Sequence, residues 1–163
     1  MRFVSIFAVV LVATLSSSAQ TPALRQSIQK KYDESLAAMR NAKNKADIES
    51  AVDNMDVPEW VANLPDGTTM TRPQAEEMLE GLLTVPSEKR PSVGQHIIYL
   101  TKTGWNILVV YWVYRPSNNG LIGSLARDTW VETSLGLRRI RHEKLFPDRA
   151  LIEQGKPVVF PMN

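Results

Sequence analysis

A chain of 163 residues suits one domain of ordinary size and is too short for two comfortable ones. Hydrophobic content of 44% and charged content of 22% belong to a globular protein, and a formal net charge of only +2 argues against nucleic acid as a partner. The absence of Cys excludes disulfides and thiolate-bound zinc, and two His residues argue against a His-rich metal centre.

The N-terminus, "MRFVSIFAVVLVATLSSSAQ", reads as a secretory signal peptide over residues 1–19. Arg2 gives the positive start, Phe3 to Leu15 the apolar run, and Ser17-Ser18-Ala19 the small residues before a cut at Gln20. The run is short of the roughly 20 residues a membrane span needs, although an uncleaved anchor is the alternative. The expectation is a secreted or periplasmic chain, with no membrane contact after cleavage, and residues 20–163 forming a single domain. Without disulfides, its core alone must stabilise it.

A first helix is expected from near Pro22, with Leu24, Ile28, Tyr32, Leu36 and Met39 as its apolar stripe. A shorter helix follows over about 46–54, capped by Asn44 or Asp47. "DVPEWVANLPDGTTMT" cannot be one helix, because Pro58 and Pro65 break it. Pro65-Asp66-Gly67 is a turn signal between two short strands, 59–64 and 68–70. Thr71 and Gln74 then form a capping box for a third helix that runs to about Leu83, with Ala75, Met78, Leu79 and Leu82 inward.

From Val93 the period switches to two. Four strands are expected at 93–102, 105–115, 124–133 and 137–145, as an antiparallel meander. "KTG" (102–104) and "SLG" (134–136) are read as three-residue hairpin loops with Gly in the left-handed third place. The fold class is therefore α+β, with three helices covering one face of the sheet.

The turn at Gly136 sets a register. With Thr133 opposite Leu137, Trp130 faces Ile140 and Asp128 faces His142. Arg127, Thr129, Arg139, Arg141 and Glu143 then share an outer, polar face. A two-residue loop, Leu135-Gly136, would instead set Asp128 opposite Glu143. An Asp–His pair on the inner face is a candidate general acid/base, the carboxylate orienting the imidazole; a satisfied polar pair at the sheet end is the alternative. In the first hairpin Thr101 is set opposite Trp105, and His96 shares a face with Trp112 and Tyr114, aromatics that suit a core or an interface as well as a ligand cage. The basic run Arg138–Lys144 is split across two faces by alternation, which is a solvated strand rather than a nucleic-acid patch. No G-x-S-x-G, P-loop or H-E-x-x-H is present, and no cofactor or metal is expected.

The order of these parts resembles the nuclear transport factor 2-like superfamily, particularly its SnoaL-like branch. The motifs that carry the resemblance are Pro58–Trp60, Pro65–Gly67, Asp128–Trp130 and the basic strand Arg138–Lys144, spread over nearly the whole mature chain. The resemblance implies a cone-shaped α+β barrel, a strongly curved sheet around the first helix, with a pocket at its open end. It implies cofactor-free isomerases, cyclases or dehydratases as well as binders and dimerisation modules, with dimers through the outer sheet face.

Three functions follow as expectations. The first is an exported module that binds a small apolar or amphipathic molecule, with Tyr32, Trp60, Trp130 and His96 as ligand-binding residues. The second is a cofactor-free isomerase, lyase or hydrolase with His142 as base and Asp128 as its partner. The third is a non-catalytic interaction domain, a homodimer through the outer face of the sheet.

Overall fold

The computed structural model describes the backbone of residues 4–90, 92–118, 120–146, 148–153 and 156–157, and side chains within residues 22–150. The expected signal peptide, residues 1–19, lies outside the residues whose side chains are described.

Helix α1 spans Val4–Asn41 without a break, so Pro22 lies inside a helix rather than at its start. Helix α2 (Lys45–Asp53) is capped by Asn44, whose side chain accepts from the Asp47 N–H at 3.0 Å. Helix α3 (Arg72–Glu80) opens with the expected capping box, and Gln74 Oε1 accepts from the Thr71 N–H at 2.8 Å. Among the described residues no helix is long and apolar enough to cross a membrane.

The strands are β1 (Asp56–Asn63), β2 (Thr69–Thr71), β3 (Gly94–Thr103), β4 (Asn106–Ser117), β5 (Gly120–Thr133), β6 (Gly136–Lys144), β7 (Arg149–Glu153) and β8 (Lys156–Pro157). They form one curved, unclosed sheet in the order β2-β1-β6-β5-β4-β3. The meander β3 to β6 is antiparallel as expected. The sheet as a whole is not, because β1 joins β6 in parallel. β5 is long enough to hold β6 along Ala126–Thr133 and β7 along Gly120–Gly123.

Both tight turns differ from expectation by their length. The first loop is Gly104-Trp105, with Thr103 opposite Asn106, so Thr101 faces Leu108 and not Trp105. Gly104 takes φ +60°, and Trp105 projects from the tip, 85% exposed. The second hairpin pairs Thr133 with Gly136, and Gly136 takes φ +90°. That turn alone would put Asp128 opposite Arg141. Instead the register slips between Thr129 and Trp130, so Arg139 pairs with Trp130, Arg141 with Thr129 and His142 with Asp128. Ile140 is the extra residue of this β-bulge. The shorter turn moves Arg139 from the outer face, where the expected register places it, to the position opposite Trp130, and the bulge then returns His142 to its place opposite Asp128.

The main core gathers Ile28, Tyr32, Ile97, Ile107, Val109, Tyr111 and Trp130, with Leu24 packed against it. A smaller cluster, Trp60, Ala62 and Ala75, sits beneath α3. Beside the β6 bulge the Arg139 N–H donates to Met55 O at 2.7 Å, just before β1 begins.

Candidate functional site

Asp128 is the centre of the buried polar network. It lies on β5 with no exposed surface, so each oxygen needs partners from the chain. Oδ1 accepts from His142 Nδ1 at 2.8 Å. Oδ2 accepts from the Tyr32 hydroxyl at 2.7 Å and from Arg139 Nη1 at 3.3 Å. Burial pushes this carboxyl up, but the Arg139 charge and the bonds from His142 and Tyr32 outweigh it and hold Asp128 below the usual carboxylate range. Asp128 is thus an ionised acceptor that fixes the imidazole with Nδ1–H as donor.

Arg139 is the second centre. Its guanidinium grips Asp56 through two bonds, Nε to Oδ1 at 2.7 Å and Nη2 to Oδ2 at 3.1 Å, and lies 5.0 Å from the centre of the Trp60 ring. Burial disfavours its charge, yet Asp128 and Asp56 together raise its pKa well above the ordinary value. Asp56, at the start of β1, is pushed up by burial against the opposing pull of Arg139. One guanidinium therefore joins two carboxylates brought in by strands β1 and β5.

The aromatic residues split by role. Tyr32 meets Trp130 edge-on, with ring centroids 5.4 Å apart, and its hydroxyl oxygen accepts from the Trp130 indole N–H at 3.2 Å. Tyr111 packs on Tyr32 at 4.7 Å, and its hydroxyl lies 3.3 Å from His142 Nδ1. Burial, then the nearby Asp128 charge, raises both tyrosines well above their ordinary range, so both are neutral phenols.

A cavity of about 410 Å³ opens beside this network. Tyr111, His142, Arg139 and Asp56 border it on the polar side, and Leu36, Met39, Met55, Met70, Leu79 and Ile122 supply apolar wall. His142 has 21% of its side chain exposed and reaches this space; Asp128, at 0%, lies behind it. Arg115, Lys144 and Asp148 also border the cavity, joined by ion pairs of 3.3 and 3.0 Å to the aspartate. A second cavity, of about 710 Å³, shares a wall with the first through Leu36, Met39, Leu79, Gln95 and Tyr114. The Tyr114 ring lies over Gly94, its partner across β3 and β4, where any Cβ would collide with the phenol.

Of the four expected ligand-binding residues, only Trp60 borders the first cavity. Tyr32 and Trp130 belong to the sealed core, because the Tyr32 hydroxyl serves the buried Asp128 and Trp130 in turn serves Tyr32. His96 is exposed on β3, on the face opposite the buried Ile97, away from both cavities. The expected register could not find Arg139, which the shorter turn brings opposite Trp130, or Asp56, which arrives on a parallel strand distant in sequence. Tyr111 carried one signal: it lies in a strand whose buried residues alternate, Ile107, Val109, Tyr111. Among the described residues no group of three or more His, Asp or Glu side chains is placed to hold a metal ion.

No family model matches the chain, and no curated protein sequence matches it. Solved structures do. An NTF2-like protein with a cystatin-like fold from Novosphingobium aromaticivorans is 15% identical, with a TM-score of 0.53 over 80% of this chain and 86% of that one. An NTF2-like protein of unknown function from Pseudomonas aeruginosa is 12% identical, with a TM-score of 0.56 over 75% of this chain and 96% of that one. The CaMKII hub of S. rosetta is 14% identical, with a TM-score of 0.55 over 74% of this chain and 94% of that one. At such identities the likeness is one of fold: three helices against a curved, unclosed sheet, the NTF2-like cone.

Proposed function

On the premise of an NTF2-like fold, we propose that this chain is a small-molecule-binding domain whose site is the cavity bordered by Tyr111, Arg139 and His142. The observation that carries this reading is the junction of an apolar chamber with one buried polar network, since binding sites combine apolar walls with a few fixed polar groups. The Met side chains on the wall suit a site that adapts to ligand shape. The fold alone assigns no ligand. The test is titration with a neutral, polarity-sensitive naphthalene ketone. Saturable binding that is lost when the chamber is filled by Ala75→Phe supports the reading; saturable binding unaffected by that change, in a variant that still folds, rejects it.

One observation favours a catalytic reading as the alternative. Asp128 holds the ring of His142 from the closed side, and the ring borders the chamber. Such a base would remove a proton from the carbon next to a carbonyl and return it at the same or a neighbouring carbon. Solvent deuterium appearing at that carbon of a bound ketone, and its loss in His142→Ala, is the expected signature. No exchange above the buffer rate would reject catalysis and leave binding.

Export and self-association belong to the same proposal. Cleavage after Ala19 would leave Pro22 in the first turn of α1, where proline is tolerated, instead of in its interior. Protein recovered outside the cytoplasm should begin at Gln20; recovery with residues 1–19 attached would reject cleavage. Tyr99 (53% exposed) and Ile98 (44% exposed) on β3 support a homodimer through the outer sheet face. Sedimentation should then show a dimer at micromolar concentration, and a monomer would reject it.

A further inference from the structure

Three buried side-chain polar atoms among the described residues have no hydrogen-bond partner: Ser35 Oγ, Trp60 Nε1 and Gln95 Oε1. All three residues border the same 410 Å³ chamber. Buried polar atoms are nearly always paired, so three exceptions around one chamber call for a cause. The three differ in what they demand. A Ser hydroxyl in a helix can turn and bond a carbonyl one turn back, so Ser35 has an internal remedy. The Gln95 amide can exchange its oxygen and nitrogen by rotation. Trp60 has neither freedom. Its indole N–H only donates, the residue is 5% exposed, and the ring is pinned under the Arg139 guanidinium, which is itself held by Asp56 and Asp128.

Trp130 is the internal contrast. Its N–H is satisfied by Tyr32, and it lies in the sealed core. The chain therefore supplies an acceptor to its interior tryptophan and none to the tryptophan on the chamber wall. The Trp60 indole nitrogen is itself closed off from water, so its bond is unmade in the free chain; a ligand that presses into this wall and brings an acceptor would make it.

Resting on the reading of the chamber as a binding site, we propose that Trp60 is a specificity-determining donor and that the ligand is a neutral molecule with a carbonyl-type oxygen that accepts from Trp60 Nε1. Neutrality follows from charge matching. Arg139, the cation beside Trp60, already faces two carboxylates, so an anionic head group there would be a third negative charge around one guanidinium, and the other two cations on the chamber, Arg115 and Lys144, are both paired to Asp148. The remainder of the molecule is apolar, to suit the Leu, Ile and Met walls.

The experiment compares three probes on the full chain: a dimethylaminonaphthalene bearing a propionyl ketone, the same ring without the carbonyl, and the same ring bearing a carboxylate. The ketone should bind on the order of five-fold tighter than the carbonyl-free ring, the scale of one net hydrogen bond. Trp60→Phe, which keeps an aromatic face for Arg139, should erase that difference while both probes still bind. A second measurement needs no variant. In nitrogen-15-labelled protein the assigned Trp60 indole N–H resonance should move downfield with the ketone and not with the carbonyl-free ring. Equal binding of those two probes, with no such shift, overturns the role of Trp60 and leaves the chamber as a site. A carboxylate probe that binds tightest overturns the neutral ligand class. Saturable binding of none of the three overturns the chamber reading and this proposal with it.

Discussion

The same helix and the same sheet line both ends of the interior, yet the two ends are built differently. Toward the N-terminal part of the described α1 side chains, Ile28 and Tyr32 pack against Ile107, Val109 and Trp130 without exposed surface. Each polar atom placed there has a partner: Trp130 gives to Tyr32, and Tyr32 gives to Asp128. One turn further along α1, Ser35, Leu36 and Met39 border open space, and the partnerless atoms are found there. A helix stripe at regular spacing can thus be core at one end and cavity wall at the other. Polar satisfaction, not hydrophobicity, separates them.

Substitutions sharpen this contrast. The largest effect is expected at Arg139, because Arg139→Met would leave Asp56 and Asp128 buried without their shared counter-charge. A loss of about 3–5 kcal/mol in urea denaturation is expected. A loss under about 1 kcal/mol would mean that the network is open to water.

Asp128→Asn comes next, at roughly 2–3 kcal/mol near neutral pH, since it removes bonds to a charged acceptor. Its pH dependence has a definite sign. Asp128 is held below the ordinary carboxylate range, so its stabilisation is present above the unfolded pKa of about 4 and is lost as pH falls through the lower folded value. The gap between the two proteins should therefore be widest above about pH 5 and narrow steadily in acid. Asp56 is raised instead, and on its own weakens the fold as pH rises; it is present in both proteins and largely cancels in the difference. A gap that widens in acid would contradict an ionised Asp128.

Tyr32→Phe should cost about 1–3 kcal/mol, because the Trp130 N–H loses its acceptor and Asp128 loses one of its donors. Ser35→Ala, one turn away, should lie within about 0.5 kcal/mol of the parent, since no bond is lost. If those two changes cost the same in thermal or urea melts, the division of the interior into a satisfied and an unsatisfied end is wrong.

How much of this was readable from residues alone depends on how locally each feature is determined. Caps were readable: Asn44 and the Thr71–Gln74 box sit within one helical turn of what they bond. The opposition of Asp128 and His142 is also legible, but it arises through two compensating departures. The turn pairs Thr133 with Gly136, one step short of the expected register, and the bulge at Ile140 restores that step. A three-residue loop at 134–136 sets Arg139 towards solvent, and "RRIR" bears no mark of the bulge that lets Arg139 and His142 both face inward. The partnership of β1 with β6 was beyond local reading, since parallel neighbours come from distant segments without a connecting turn. Periodicity marks Tyr32 and Trp130 as interior aromatics, but it does not say whether an interior aromatic meets a void or another ring.

Gly94 has a consequence of its own. The phenol of Tyr114 occupies the volume that a methyl group at position 94 would need, and the same phenol stands between two rooms. The bare α-carbon of residue 94 is the space in which the Tyr114 ring rests, on the wall that the two cavities share. A single methyl group at that position would push the ring aside and redraw both rooms at once, at a cost of about 1–3 kcal/mol in a urea melt; an unchanged midpoint would show that the ring swings away freely.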